Sequence, residues 1–205
     1  HLKLDDTKIT IFVPMKIAIT GTRGIPNLYG GFEQFAEQLS IRLAQRGHDV
    51  WVYNPSFHSV PGNEFNKVKI IPKFNPEKFI GPAANYLYDF ICLRDAIIRK
   101  ADVILECGYA TAAPAFRILN FRKTGLLINP DGMEWQRPKW NPVIRKIIRI
   151  AEKYVAKKKH KLACDIPELV RYYKEKYNVD SYYIPYGAEI FINPDEEILK
   201  AFNFL

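Results

Sequence analysis

Short apolar runs alternate with amphipathic stretches along almost the whole of this 205-residue chain. That alternation admits few folds. Strands separated by helical crossovers pair in parallel, and a parallel sheet buries both of its faces under helices. The first unit sets the pattern: "MKIAITGTRGIPNLYGGFEQFAEQL", residues 15–39, reads as a buried strand (17–20), a glycine-rich turn and a helix. In that helix Phe32, Phe35, Ala36, Leu39 and Leu43 recur at helical spacing, and Gly47 marks its stop. Strands are expected at 49–54, 67–74, 101–108, 125–132 and 160–165, with a segment at 181–190 closing the series. Helices are expected at 84–99, 112–119, 141–158 and 167–177. The fold class is therefore α/β, a parallel sheet with helices on both faces. Ligands of such sheets bind beyond the carboxyl ends of the strands, so the loops after Thr20, Asn54, Glu106, Asn129 and Asp165 form the candidate rim.

The length fits one well-buried domain with at most a small appendage. A formal charge of +8, from 30 basic against 22 acidic side chains, suits an anionic partner without choosing among phosphate ligands, nucleic acid and an acidic membrane surface. Cys92, Cys107 and Cys164 are odd in number and far apart, which argues against a disulfide framework or a zinc site and for a cytoplasmic setting. No apolar run reaches the roughly 20 residues of a membrane span. The opening "HLKLDDTKIT" lacks the apolar core of a signal peptide. Because a strand begins directly after Met15, residues 1–14 are expected to derive from a vector or upstream sequence, although "TKITIFVP" has the composition of an edge strand.

Gly21, Gly24, Gly30 and Gly31 follow the first strand. Two readings stand. Backbone N–H groups, the amino terminus of the following helix and the Arg23 guanidinium form a phosphate cradle, or the glycines only make a tight turn. Two common owners of such a loop are excluded. The dinucleotide fingerprint needs a glycine where Arg23 stands and an acid near the end of the second strand, where the chain has Tyr53, Asn54 and Pro55. The P-loop pattern G-x-x-x-x-G-K-[ST] is missing from this loop.

"GTRGIPNLYGGFEQFAEQL" with "RGHDVWVY", "NPDGMEWQRPKW" (129–140) and "YYKEKYNVDSYYIPYGAE" (172–189) resemble, in order, the amino-terminal domain of retaining GT-B glycosyltransferases. The resemblance is nearest to the rhamnosyltransferase-like branch of glycosyltransferase family 4, which acts in bacterial polysaccharide synthesis. It covers residues 15–189. It implies a Rossmann-like domain forming one half of a GT-B two-domain architecture, with the acceptor held mainly by this half and the nucleotide sugar mainly by the other. Gly21, Thr22, Arg23, Gly24, Gly30 and Gly31 would then approach the donor diphosphate. Tyr29, Phe32, Asp131, Glu134, Trp135 and Arg137 would hold the acceptor, Trp135 by stacking on a pyranose, with Asp131 the one candidate for a catalytic part. The alternative for the second group is that Trp135 and Trp140 pack the loop and its charges face solvent. Family members often carry a histidine near 129–131, where this chain has Asn129, Pro130 and Asp131. The resemblance implies no cofactor and no metal; the nucleotide sugar is a substrate.

The donor domain does not follow within the chain: residues 190–205 read as the start of a linker, so the chain alone is expected to be inactive. Glu189 and Glu197 are spaced as E-x7-E, but without a donor loop beside them they are assigned no role. The basic run from Arg145 to Lys161, interleaved with Ile147, Ile148, Ile150, Tyr154 and Val155, reads either as a helix lying on an anionic membrane that carries a polyprenyl-linked acceptor, or as a core helix with a solvated charged face. His48, His58 and His160 read as structural or solvent-facing. The rival functions are a non-catalytic glycan- or phospholipid-binding module, and a nucleic-acid-binding domain, for which no RNP, KH, zinc-finger or helix-turn-helix signature is present.

Overall fold

The computed structural model describes residues 13–59, 62–157 and 160–187. Its strands are β1 (Lys16–Thr20), β2 (Asp49–Pro55), β3 (Glu64–Phe65), β4 (Val68–Lys73), β5 (Val103–Cys107), β6 (Gly125–Asn129), β7 (Lys161–Cys164) and β8 (Tyr182–Tyr183). The helices are α1 (Gly31–Gln45), α2 (Glu77–Ile80), α3 (Ala84–Ile98), α4 (Ala113–Ile118), α5 (Pro142–Lys157) and α6 (Pro167–Tyr177). The strands join in the order β3-β4-β2-β1-β5-β6-β7-β8, parallel throughout except between β3 and β4. The fold is the expected α/β sheet with helices on both faces.

Alternate residues of the central strands feed two cores. Ile19, Val50, Val52, Ile70 and Leu105 meet α1 through Ala36, Phe32, Phe35 and Leu39. Ala18, Trp51, Tyr53, Ile104 and Ile128 point the other way, onto Leu93 of α3, Phe116 of α4, Ile148 and Val155 of α5 and Leu169 of α6. Burial on both faces is why these strands read as continuous apolar runs, each large side chain contributing about 1.5–3 kcal/mol.

Three elements differ from the sequence reading, the first being the short α2, which it did not expect. The stretch at 67–74 is preceded by β3, which turns back on β4 through Asn66 and Lys67, both at positive φ (49° and 68°). Two such residues make the tight hairpin turn that strand twist favours, but without the glycine that advertises it. Of the expected segment 181–190, residues 181–187 are described and hold β8, two exposed tyrosines. The possible edge strand in 1–14, the linker at 190–205 and the Glu189/Glu197 pair fall outside the described residues.

A buried carboxylate fixes the loop between β6 and α5. Glu152 of α5 is fully buried. Its Oε1 accepts from Tyr172 Oη (2.6 Å), Tyr177 Oη (2.5 Å) and Lys176 Nζ (3.2 Å), and its Oε2 from Trp135 Nε1 (2.8 Å) and Tyr109 Oη (3.3 Å). Five donors from α6, the β6–α5 loop and the β5–α4 loop replace the water this charge would otherwise need. Removing the acceptor strands those donors. Glu152→Ala is therefore expected to lower unfolding free energy by about 3–5 kcal/mol in urea titrations, against less than about 1 kcal/mol for the exposed Glu168→Ala on α6.

Candidate functional site

β1 pairs with β2 on one side and β5 on the other, so the chain leaves the sheet in opposite directions at their carboxyl ends. The crevice that results is where ligands of open parallel sheets bind. It holds a cavity of about 400 Å³. Its outer wall is the turn after β1 and the first turn of α1, with Gly21, Thr22, Arg23, Tyr29 and Phe32; its inner wall is α3 and the loop after β5, with Asn85, Tyr88, Asp89 and Thr111. Asp131 and Arg137 reach it from the β6–α5 loop, and Tyr186 from the chain after β8.

Six backbone donors of the glycine turn are taken by its own neighbours. The N–H of Arg23 donates to Glu33 Oε1 (2.7 Å), that of Gly24 to Thr22 Oγ1 (3.1 Å) and that of Ile25 to Asn54 Oδ1 (3.1 Å). Asn27 donates to Glu37 Oε2 (2.6 Å), and Tyr29 and Gly30 both donate to Asn27 Oδ1 (2.9 and 3.1 Å). The Glu33 carboxylate stands in the first turn of α1, where an anion would be drawn, and answers the helix dipole from within the chain. Gly21 and Gly24 are required by geometry. At φ 75° and 94°, a Cβ on Gly21 would come within 2.5 Å of the Cys107 carbonyl oxygen, and one on Gly24 within 2.4 Å of the Asn54 side chain. Gly24 thus packs on Asn54 and does not line the cavity. Gly30 and Gly31 line it without such crowding.

Both cations of the cavity are engaged. Arg23 pairs with Glu77 of α2 and stacks 4.2 Å above the Tyr29 ring. Arg137 binds Asp131 (2.7 Å) and Glu134 (2.5 Å). Asp131 holds a left-handed backbone (φ 62°), its N–H closed onto Asn129 Oδ1 (3.0 Å). Burial raises the pKa of its carboxyl, opposed by Arg137 and reinforced by Glu134. Asn129 also donates to Tyr186 Oη (2.9 Å), whose ring lies 4.8 Å from that of Phe35.

Trp135 and Glu134 lie outside the cavity lining. The Trp135 indole N–H is bound to Glu152, and Arg149 and Lys176 sit 4.1 Å and 5.2 Å from its ring centre, so cations already stack on this ring. Glu134 accepts from Trp140 Nε1 (3.0 Å) and pairs with Arg137. Neither lines the cavity; both hold the loop that presents Asp131 and Arg137. None of His48, His58 and His160 lines it either.

The inner wall carries residues that sequence reasoning passed over. Asp89 is 4% exposed and Glu106, at the end of β5, 1%. Asp89 Oδ2 accepts from Thr111 Oγ1 at 2.5 Å, and Glu106 from the Thr20 hydroxyl. Burial pushes Asp89 up to about 7, against the pull of Thr111. Burial and then the Asp89 charge raise Glu106. A signal existed: in the helix expected at 84–99, Asp89 sits in register with Cys92, Leu93 and Ala96, an acid on the core face.

A carboxyl that keeps its proton in the folded chain up to about pH 7, but loses it near the ordinary aspartate value of about 4 when unfolded, makes unfolding release a proton between those limits. Stability from this group then falls as pH rises through that window and levels off above it. Between pH 5 and pH 8 the wild-type chain is expected to lose up to about 3 kcal/mol relative to Asp89→Asn. Urea midpoints measured for both chains across the range check this; parallel pH profiles would contradict it.

Among the described residues, no group of three or more His, Cys, Asp or Glu side chains is placed to hold a metal ion, and no helix is long and apolar enough to cross a membrane. The structure resembles that of sucrose-phosphate synthase from Thermosynechococcus elongatus (TM-score 0.64, 13% identity), over 84% of this chain and 48% of the synthase. A shorter structure of the same synthase also matches (TM-score 0.55, 11% identity), over 83% of this chain and 88% of that one. At such identity the likeness is one of fold, and the chain spans about half of the longer synthase structure. No curated protein sequence matches. Residues 15–189 match the family described as a domain of unknown function, DUF1972, and the chain belongs to that family.

Proposed function

We propose that this chain is the acceptor-binding, amino-terminal half of a nucleotide-sugar-dependent GT-B glycosyltransferase, one that transfers a hexosyl or rhamnosyl unit with retention in cell-surface polysaccharide synthesis. The observation that carries the reading is the chemistry of the cavity at the β1/β5 crevice. Its lining offers carboxylates, amides and hydroxyls beside the Tyr29, Phe32 and Tyr186 rings, with Arg23 and Arg137 already paired to acids. That combination suits a neutral ligand with many hydroxyls better than a free diphosphate. The fold likeness to a synthase of sucrose phosphate agrees with sugar transfer.

In this reading Tyr29 and Phe32 pack against the acceptor and Asp131 orients its hydroxyl, while Arg137 holds Asp131 in place. Gly21, Thr22, Arg23, Gly30 and Gly31 form the edge of the cleft nearest the donor. A second domain supplies most of the donor contacts and the positive charge that helps the nucleoside diphosphate leave. The chain by itself is inactive. In the full-length gene product, Tyr29→Ala and Asp131→Asn are expected to raise KM for the acceptor about tenfold while leaving KM for the nucleotide sugar within about twofold. The reverse split would assign this half to the donor and refute the reading.

A contact with anionic membrane is a second part of the proposal. Helix α5 buries Ile148, Ala151 and Val155, which satisfies its role in the core, yet leaves Val143, Ile147 and Ile150 exposed (67%, 47% and 60%) beside Lys146, Lys153 and Lys157. An apolar stripe flanked by lysines fits the boundary between headgroups and acyl chains of an acidic bilayer, where a polyprenyl-linked acceptor resides. Liposome flotation of the full-length protein is expected to recover more of it on vesicles containing phosphatidylglycerol than on phosphatidylcholine alone, and Ile147→Glu/Ile150→Glu to abolish the difference. Equal recovery on both would count against it.

A further inference from the structure

Helix α3 sends a carboxylate to the inner wall of the cavity that no fold requirement explains. Asp89 is almost fully buried, lines the cavity and accepts one hydrogen bond, from Thr111 Oγ1 at 2.5 Å. No other hydrogen bond or ion pair to Asp89 is present among the described residues. The nearby cations are committed elsewhere: Lys73 to Asp95 at 2.8 Å, Arg23 to Glu77. A buried acid without a cation costs several kcal/mol relative to an apolar side chain of similar size. If packing alone were served, leucine or alanine would do better at this core position, as Cys92, Leu93 and Ala96 do further along the same helix face.

The groups around Asp89 complement it. Asn85, one turn earlier, directs its side-chain oxygen toward Asn75 Nδ2 (3.4 Å), which leaves its NH2 group as a donor on the cavity wall. Tyr88 Oη is turned away, donating to the Tyr53 carbonyl oxygen at 3.1 Å. Behind Asp89 stands Glu106, closed off by Thr20. A hydroxyl group donates one hydrogen bond and accepts others, so it can donate to Asp89 and accept from Asn85 at once. A phosphate oxygen can only accept, and would face Glu33, and above about pH 7 Asp89 also, as like charges.

We propose that Asp89, with Thr111 holding it and Asn85 beside it, is a subsite that fixes one hydroxyl of a neutral glycosyl unit at the inner wall of the cavity. This rests on the acceptor-side reading and deepens it: the part of the acceptor that enters deepest is a sugar ring, and any phosphate or lipid it carries stays toward the mouth. Asp89 is then a specificity-determining residue, selecting acceptors by the position and orientation of that hydroxyl.

The test uses the 205-residue chain, isotopically labelled, with amide shifts followed by NMR during titration with methyl α-D-glucopyranoside, methyl α-L-rhamnopyranoside or sodium pyrophosphate. At least one hexoside is expected to shift the amides of Asn85, Asp89 and Thr111, and pyrophosphate to leave them in place. At pH 8, where the Asp89 carboxyl is ionised, Asp89→Asn should weaken that hexoside about tenfold, the loss expected for one hydrogen bond to a charged group. One monodeoxy form of the hexoside should bind the wild type as weakly as the parent sugar binds the variant, and the variant no more weakly still. If Asp89→Asn fails to fold, Thr111→Val, which withdraws the hydroxyl that holds Asp89, is expected to give the same weakening. Hexoside shifts confined to Tyr29, Phe32 and Tyr186 would overturn the subsite while leaving the acceptor-side reading intact. Pyrophosphate shifts at Asp89 and Thr111, or unchanged affinity in the variants, would overturn the subsite as well. No hexoside shift anywhere in the cavity would overturn both.

Discussion

The placement of β1 between β2 and β5 is the constraint from which the rest of the site follows. A parallel strand has its crossovers above or below the sheet, and where successive crossovers run in opposite directions their loops part. Here α1 carries the chain from β1 toward β2, while α3 returns it to β5 on the far side. The parting leaves a crevice with one wall from a strand-to-helix turn and the other from a helix and the loop after β5. Neither wall meets the other through backbone pairing, so side chains decide what the crevice can hold.

Those side chains make it rich in acceptors. In the turn after β1 the N–H groups of Arg23, Gly24, Ile25, Asn27, Tyr29 and Gly30 are taken by Thr22, Asn27, Glu33, Glu37 and Asn54, and its two indispensable glycines serve close packing. An anion entering this turn would have to displace Glu33 from the start of α1 and break hydrogen bonds already made, each worth about 1 kcal/mol net and more where a carboxylate takes part. On the opposite wall Asp89 and Thr111 add further acceptors. The overall charge of +8 therefore misdescribes the crevice, because much of the excess lies on α5 and the surface. Glu152 keeps the third contributor, the β6–α5 loop, in register through Trp135, so a residue with no place in the cavity determines where Asp131 and Arg137 stand.

Much of the fold was legible because burial on both faces leaves a coarse signal: runs such as "DVWVY" and "DVILEC", and helices whose apolar residues keep a fixed spacing. The helix at Pro167–Tyr177 agrees with the sequence reading to the residue, since Pro167 starts it and Asn178, in the left-handed region, stops it. The site was less legible. Glycines mark a turn but do not say whether its N–H groups face a ligand or a neighbouring glutamate; Glu33 and Asn54 are 10 and 29 residues from the groups they satisfy. Trp135 looked available for stacking because its partners, Glu152, Arg149 and Lys176, lie on other elements. Asp89 was hidden inside a helix whose apolar pattern it interrupts only once, although that interruption is what singles it out.

Hydrogen exchange at the amides of Arg23, Gly24, Ile25 and Asn27 tests most directly the claim that the glycine turn is closed by its own side chains and the crevice is built for a sugar. The account predicts that these amides are protected in the free chain and that their exchange rates do not change with millimolar pyrophosphate, whereas Glu33→Ala exposes the Arg23 amide. Fast exchange in the free chain that slows when pyrophosphate is added would show open donors awaiting an anion, and would contradict it.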